Sequence, residues 1–260
     1  MPAINLTSAL RIEYLRLFDS CSIRLDKLTE LDRIVQKINN SKSRYELVGN
    51  QLAIPWYIIA VIHNMESSLN FTCHLHNGDS LTAKTIHVPS GRPVSGSPPF
   101  TWEVSATDSL KLQKMDLWKD WSLAGFLFKI EEYNGWGYRT RHPEVLSPYL
   151  WSGSNHYVKG KYVADGRWSD TAVSNQIGAA VLIRRLAEKN LITISRTQQI
   201  DQDSPMVYYS TKKTEYGEAL QQFLNQFPDI YLLKDGKPGQ KTSDAFKRVT
   251  GYYLVNDPRV

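Results

Sequence analysis

The side chain best placed for chemistry is Glu66, near the end of the run "IPWYIIAVIHNMESSLNF", Ile54 to Phe71. On a helix it continues a face made by Ile58, Ile59 and Ile62. Burial there disfavours the carboxylate, and the negative end of the helix dipole pushes the same way. A carboxyl group held protonated near neutral pH can donate to a leaving oxygen as a general acid. The plainer alternative is a carboxylate that ends a core helix and points to water. Asp79 follows an "NG" turn in a polar stretch, where a carboxylate stays ionised. It could act as the second member of an acid/base pair, or simply accept backbone N–H bonds within its turn.

The elements that must hold these residues are mostly helical. Apolar residues at helical spacing run from about Ser8 to Arg44, with a stop predicted at Asn39, Asn40 and Ser41. The helix that carries Glu66 is expected to begin at Pro55, a residue suited to a first turn, and to end near Ser68. A small β-hairpin is expected beside it, with Thr82 to Val88 alternating as a strand, followed by a Pro/Gly/Ser loop from Pro89 to Pro99. Helical patterns return at Thr101 and Leu123. Gly135 to Trp168 reads as an irregular aromatic wall, and Thr171 to Asn190 as a further helix. The fold class expected is mainly α (α+β), with the hairpin beside the cleft and a small helical module at the C-terminus. Residues 1–195 are expected to form the main domain and 205–260 the module, with the boundary in "TQQIDQDSP".

The two carboxylates suit glycosidic bond cleavage, where a separation of about 6.5–9.5 Å leaves room for water and about 5–5.5 Å implies a covalent intermediate. The buried helix ending in "ESS" and followed by a polar hairpin resembles the lysozyme-like superfamily, which includes goose-type lysozymes and lytic transglycosylases. The resemblance covers roughly residues 45 to 190. It implies that Glu66 is the general acid and Asp79 the second acid, with Ser67 beside them. "EEYNGWGY" is similar to the segment that lines the sugar cleft in that superfamily. With the aromatic-rich "SPYLWSGSNHYVKGKYVADG", it makes Tyr133, Asn134, Tyr138, Trp151, Asn155 and Tyr157 the expected glycan contacts, with Tyr162 beside them. The implied substrate is the β-1,4 bond between N-acetylmuramic acid and N-acetylglucosamine in peptidoglycan strands. An anhydro product, or chitin or chitosan as substrate, fits the same scaffold. The loop from Pro89 to Pro99 and the opening helices have no counterpart in the pattern.

Farther along, "ALQQFLNQFPDIYLLKDGKPGQKTSDAFKRVTGYYL" resembles the three-helix peptidoglycan-binding modules of wall hydrolases through Leu220, Gln221, Asp235, Gly236, Gly239, Thr242 and Phe246. An N-cap is expected at Thr242 or Ser243. Such a module would raise the local concentration of a catalytic domain on an insoluble polymer. A competing reading takes Arg184, Arg185 and the sequence after them as a winged helix that binds DNA. A non-catalytic wall binder is the third class.

The chain has 260 residues, 42% hydrophobic and 22% charged, with a net charge of +5 and a pI near 9.0. That composition is ordinary for a globular protein with a large core, and its sign favours a polyanionic partner. No apolar run approaches the roughly 20 residues of a membrane span, and no signal-peptide pattern opens the chain. Action at the bacterial wall therefore implies non-classical export or release by lysis. Cys21 and Cys73 could pair or stay free. Four histidines (His63, His74, His76, His87) lie near Asp79 but lack zinc-motif spacing, so neither metal nor cofactor is expected. A monomer that binds glycan strands, not nucleic acid, is the expected form.

Overall fold

The computed structural model describes residues 4–164, 166–196 and 207–260. The expected boundary in "TQQIDQDSP" lies outside the described residues. The chain divides into two compact units, Tyr14–Gln198 and a smaller one that combines Met1–Glu13 with Gln199–Val260. The division at Glu13 and Tyr14 falls inside the first helix.

The protein is mainly α. Its helices are α1 (Ser8–Asp19), α2 (Leu28–Asn40), α3 (Lys42–Leu52), α4 (Trp56–Ser67), α5 (Trp102–Leu112), α6 (Leu123–Asn134), α7 (Gly137–Arg141), α8 (Pro148–Trp151), α9 (Ala179–Glu188), α10 (Gly217–Leu224) and α11 (Gln240–Thr250). A two-stranded antiparallel sheet pairs β1 (Lys161–Ala164) with β2 (Arg167–Ser169), Tyr162 opposite Trp168.

In the larger unit α4 is the central rod, packed against α3 and α9, while α9 also meets α2 and α8. Ile58 to Ile62 are buried all round, so the helix shows no polar stripe before its last turn. Pro55 stands at its N-cap. At the other end Ser68 and Leu69 both take left-handed backbone conformations (φ 52° and 61°). The Ser68 and Leu69 amides then cap the carbonyls of Asn64 (3.2 Å) and His63 (3.3 Å). Two non-glycine residues in that region are unfavourable, and together they turn the chain sharply just past Glu66.

Three sequence expectations are corrected. Among the described residues no strand forms over Thr82 to Val88; pairing there is limited to one bridge between Cys73 and Ser80. The reason is local: the Ile86 and His87 amides, which a strand partner would have bonded, donate instead to the Asp79 carboxylate. The two-stranded sheet lies in the segment read as an irregular wall. The helix expected from Thr171 starts at Ala179, because Gly178 approaches Leu150 so closely that a Cβ there would lie 2.3 Å from its carbonyl oxygen. Its amide bonds Ser152 O at 2.8 Å, holding the lead-in extended.

In the smaller unit, Leu224, Ile230 and Ala245 form a core covered by Leu220, Phe227 and Phe246. Gln221 sits in this unit 2% exposed. Its side-chain amide donates to Asp235 Oδ1 (2.9 Å), Lys237 O (3.1 Å) and Thr242 Oγ1 (3.2 Å), and accepts from the Gly236 amide (2.9 Å). Helix α11 has its N-cap at Gly239 rather than at Thr242 or Ser243, both of which are buried inside its first turn. Ser243 is engaged instead with Asp257 (2.5 Å).

Candidate functional site

Glu66 lies in the last turn of α4, half-buried, and Oε1 accepts a hydrogen bond from the Tyr149 hydroxyl at 2.7 Å. Burial pushes its pKa up, and the Tyr149 bond offsets part of that rise. Tyr149, on α8, and Tyr133, on α6, have phenols raised by burial first and by the Glu66 charge second. Tyr133 also bonds Ser109 of α5. Three helices thus bring two phenols to one carboxyl. The turn at Gly78 (φ 81°) closes the neighbourhood, with the Glu66 carbonyl 3.8 Å from where a Cβ would stand.

Two other buried or half-buried acids in this unit are paired with cations. Glu131 accepts from Tyr14 and from Arg139 (2.9 Å). Asp108 meets His76 (2.8 Å) and Arg92 (3.1 Å). Among the described residues no cation pairs with Glu66, whose carboxyl is instead held by the Tyr149 phenol and pushed up by burial.

Asp79 is bound on both oxygens. Oδ1 meets His87 Nδ1 (2.6 Å), while Oδ2 accepts from Ile86 N (2.8 Å), His87 N (3.0 Å) and Asn77 Nδ2 (3.2 Å). His87 and these backbone donors hold its pKa well below the usual carboxylate range. It is the ionised carboxylate the sequence suggested, but its oxygens organise the loop, which is the turn role weighed beside the catalytic one.

The remaining expected contacts separate. Ser67 Oγ donates to His63 O at 3.4 Å, a bond along its own helix. Asn134 is exposed at the end of α6. Tyr138 is buried against Tyr162 and Trp168, and its hydroxyl accepts from Tyr162 N at 3.4 Å. Trp151 is 1% exposed and has no ring face open to a sugar. Asn155 clamps the 20–22 turn through Ser22 N (2.8 Å) and Ser20 O (3.0 Å). The Tyr157 hydroxyl bridges Gly160 O (3.2 Å) and Ser174 N (3.1 Å). As glycan contacts, Trp151 and Tyr157 are therefore corrected, since both are buried within the fold, while Asn155 stays exposed with its amide bonded to the 20–22 turn. Tyr149 is the residue that sequence reasoning missed.

The histidines are likewise engaged. His63 is 0% exposed, bonds Tyr45 (3.0 Å), and packs against Phe71 and Trp102. His74 lies between Ser105 Oγ and Ala83 O, both at 2.8 Å. Cys21 and Cys73 are free thiols. Arg184 is paired with Glu188 (2.9 Å) and Arg185 with Asp32 (2.8 Å), which leaves the proposed DNA-reading pair tied to its own fold. The residues after Leu191 that are described form no strand. No single described helix is long and apolar enough to cross a membrane.

Comparison with family models, with curated proteins and with solved structures finds no significant match for this chain.

Proposed function

We propose that the protein is a peptidoglycan-cleaving glycosidase of lysozyme-like type, with Glu66 as general acid. The observation that carries this reading is the half-buried carboxyl without a cation among the described residues, poised by the Tyr149 hydroxyl at 2.7 Å. A group in that state protonates the glycosidic oxygen as the bond to N-acetylmuramic acid breaks, and needs its raised pKa to hold the proton until then. The oxocarbenium-like sugar is captured by water or by its own 6-hydroxyl; the latter yields an anhydro end and needs no activated water. Asp79, engaged four times over, serves this reaction by fixing the loop beside Glu66. The smaller unit supports wall attachment through the resemblance of its Gln221-centred turn to peptidoglycan-binding modules.

The test is the clearing of purified cell walls. Wild type should lower the turbidity, and Glu66→Gln, which keeps the shape and removes the proton, should cut the rate by at least a hundredfold with the fold intact. Retained clearing by the variant overturns the assignment.

A further inference from the structure

Glu66 occupies one side of α4; Asn64, two residues earlier, faces the opposite side. There a cavity of ≈ 410 Å³ opens between α2, the end of α4 and the segment at 176–177. Arg33 and Lys37 stand on its rim, one helical turn apart on α2. Neither makes an ion pair or hydrogen bond among the described residues, whereas the rim carboxylate, Glu30, is bound to Lys27 at 3.0 Å. Asn64 lines the cavity only 6% exposed, and its side-chain amide has no partner among the described residues. Its amide opens into the cavity and offers a polar guest both a donor and an acceptor.

The end of a helix normally repels anions through its free carbonyls. Here that repulsion is reduced. The His63 and Asn64 carbonyls are capped by the Leu69 and Ser68 amides, and Met65 O accepts from Gln176 Nε2 at 2.7 Å. Two unpaired cations, an amide donor and an apolar floor of Ile34 and Leu69 remain. An arginine fork suits a planar carboxylate, and the floor suits a short alkyl group beside it.

We infer that this cavity is a carboxylate-binding subsite for the peptide stem carried by the glycan strand. This rests on the proposed wall-cleaving function and names a feature of its substrate. It separates peptide-bearing strands from chitin, which has no carboxylate to offer.

The probe is a synthetic muramoyl dipeptide, titrated into the full-length protein while the Asn64 side-chain amide is followed by NMR. The Asn64 signal should shift and saturate, and Arg33→Ala/Lys37→Ala should weaken binding about tenfold while leaving the dispersed spectrum of a folded chain. The carboxyl-amidated probe should bind as weakly to wild type. Equal binding by the double variant or by the amidated probe overturns the inference. So does an unmoved Asn64 signal, or inorganic phosphate that binds as tightly as the dipeptide and marks the cavity as a general anion trap. Glu66→Gln should bind the probe as wild type does. A wild type that binds the probe yet leaves walls intact defeats the glycosidase reading, while clearing of walls without probe binding defeats only the subsite.

Discussion

At the residue scale, Glu66 and Tyr149 set each other's state. The Tyr149 hydroxyl stabilises the Glu66 anion and so moderates a pKa that burial has raised. Tyr149→Phe removes that bond and should raise the Glu66 pKa further. A general acid works while protonated, so the alkaline limb of kcat/KM against pH should move upward in the variant. An unmoved limb would show that Tyr149 does not tune the acid. Glu66 was legible in the sequence as the carboxyl that ends an apolar run on the face of Ile58, Ile59 and Ile62, and it is half-buried in the last turn of α4. Tyr149 was not, since 83 positions separate the pair and no local pattern joins them. Asp79 was legible as an ionised turn residue. Its bonds to Ile86 and His87 depended on the path of a loop whose alternation imitated a strand.

At the element scale, the helix that carries the acid is fixed by a buried aromatic cluster. His63, one turn before Glu66, is neutral inside it, with burial lowering its pKa to about 4. In the unfolded chain the ring titrates near its ordinary value of about 6.5. The unfolded state therefore binds the extra proton first. The stability from keeping the ring neutral is complete above that ordinary value and is lost as pH falls towards about 4. The full loss is roughly 3 kcal/mol. His63→Gln cannot charge, so its stability deficit relative to wild type should shrink between pH 7 and pH 4 in denaturant titrations. A constant deficit would show that the ring does not titrate with folding. The periodicity of the core helices was readable from sequence because burial dictates it. The late start of α9 was not, because it depends on the contact between Gly178 and Leu150 across the fold.

At the scale of the whole molecule, two compact units carry different tasks in the proposed account. The smaller one was the more legible, since Gln221, Asp235, Gly236 and Thr242, read as a motif, converge on one buried amide. Gln221→Ala would leave the Gly236 amide and its neighbours without their partner, at a cost of about 2 kcal/mol. Hydrogen exchange should then show Gly236 losing roughly thirtyfold in protection; unchanged protection would mean the turn is held by other contacts. The larger unit bears the central claim, and mass spectrometry of soluble muropeptides after digestion of purified walls tests it most directly. Wild type should release fragments cut between N-acetylmuramic acid and N-acetylglucosamine, ending in either a reducing or an anhydro sugar, and Glu66→Gln should release none. Intact strands after wild-type treatment, or the same fragments from the variant, would contradict the assignment of Glu66 as the proton donor.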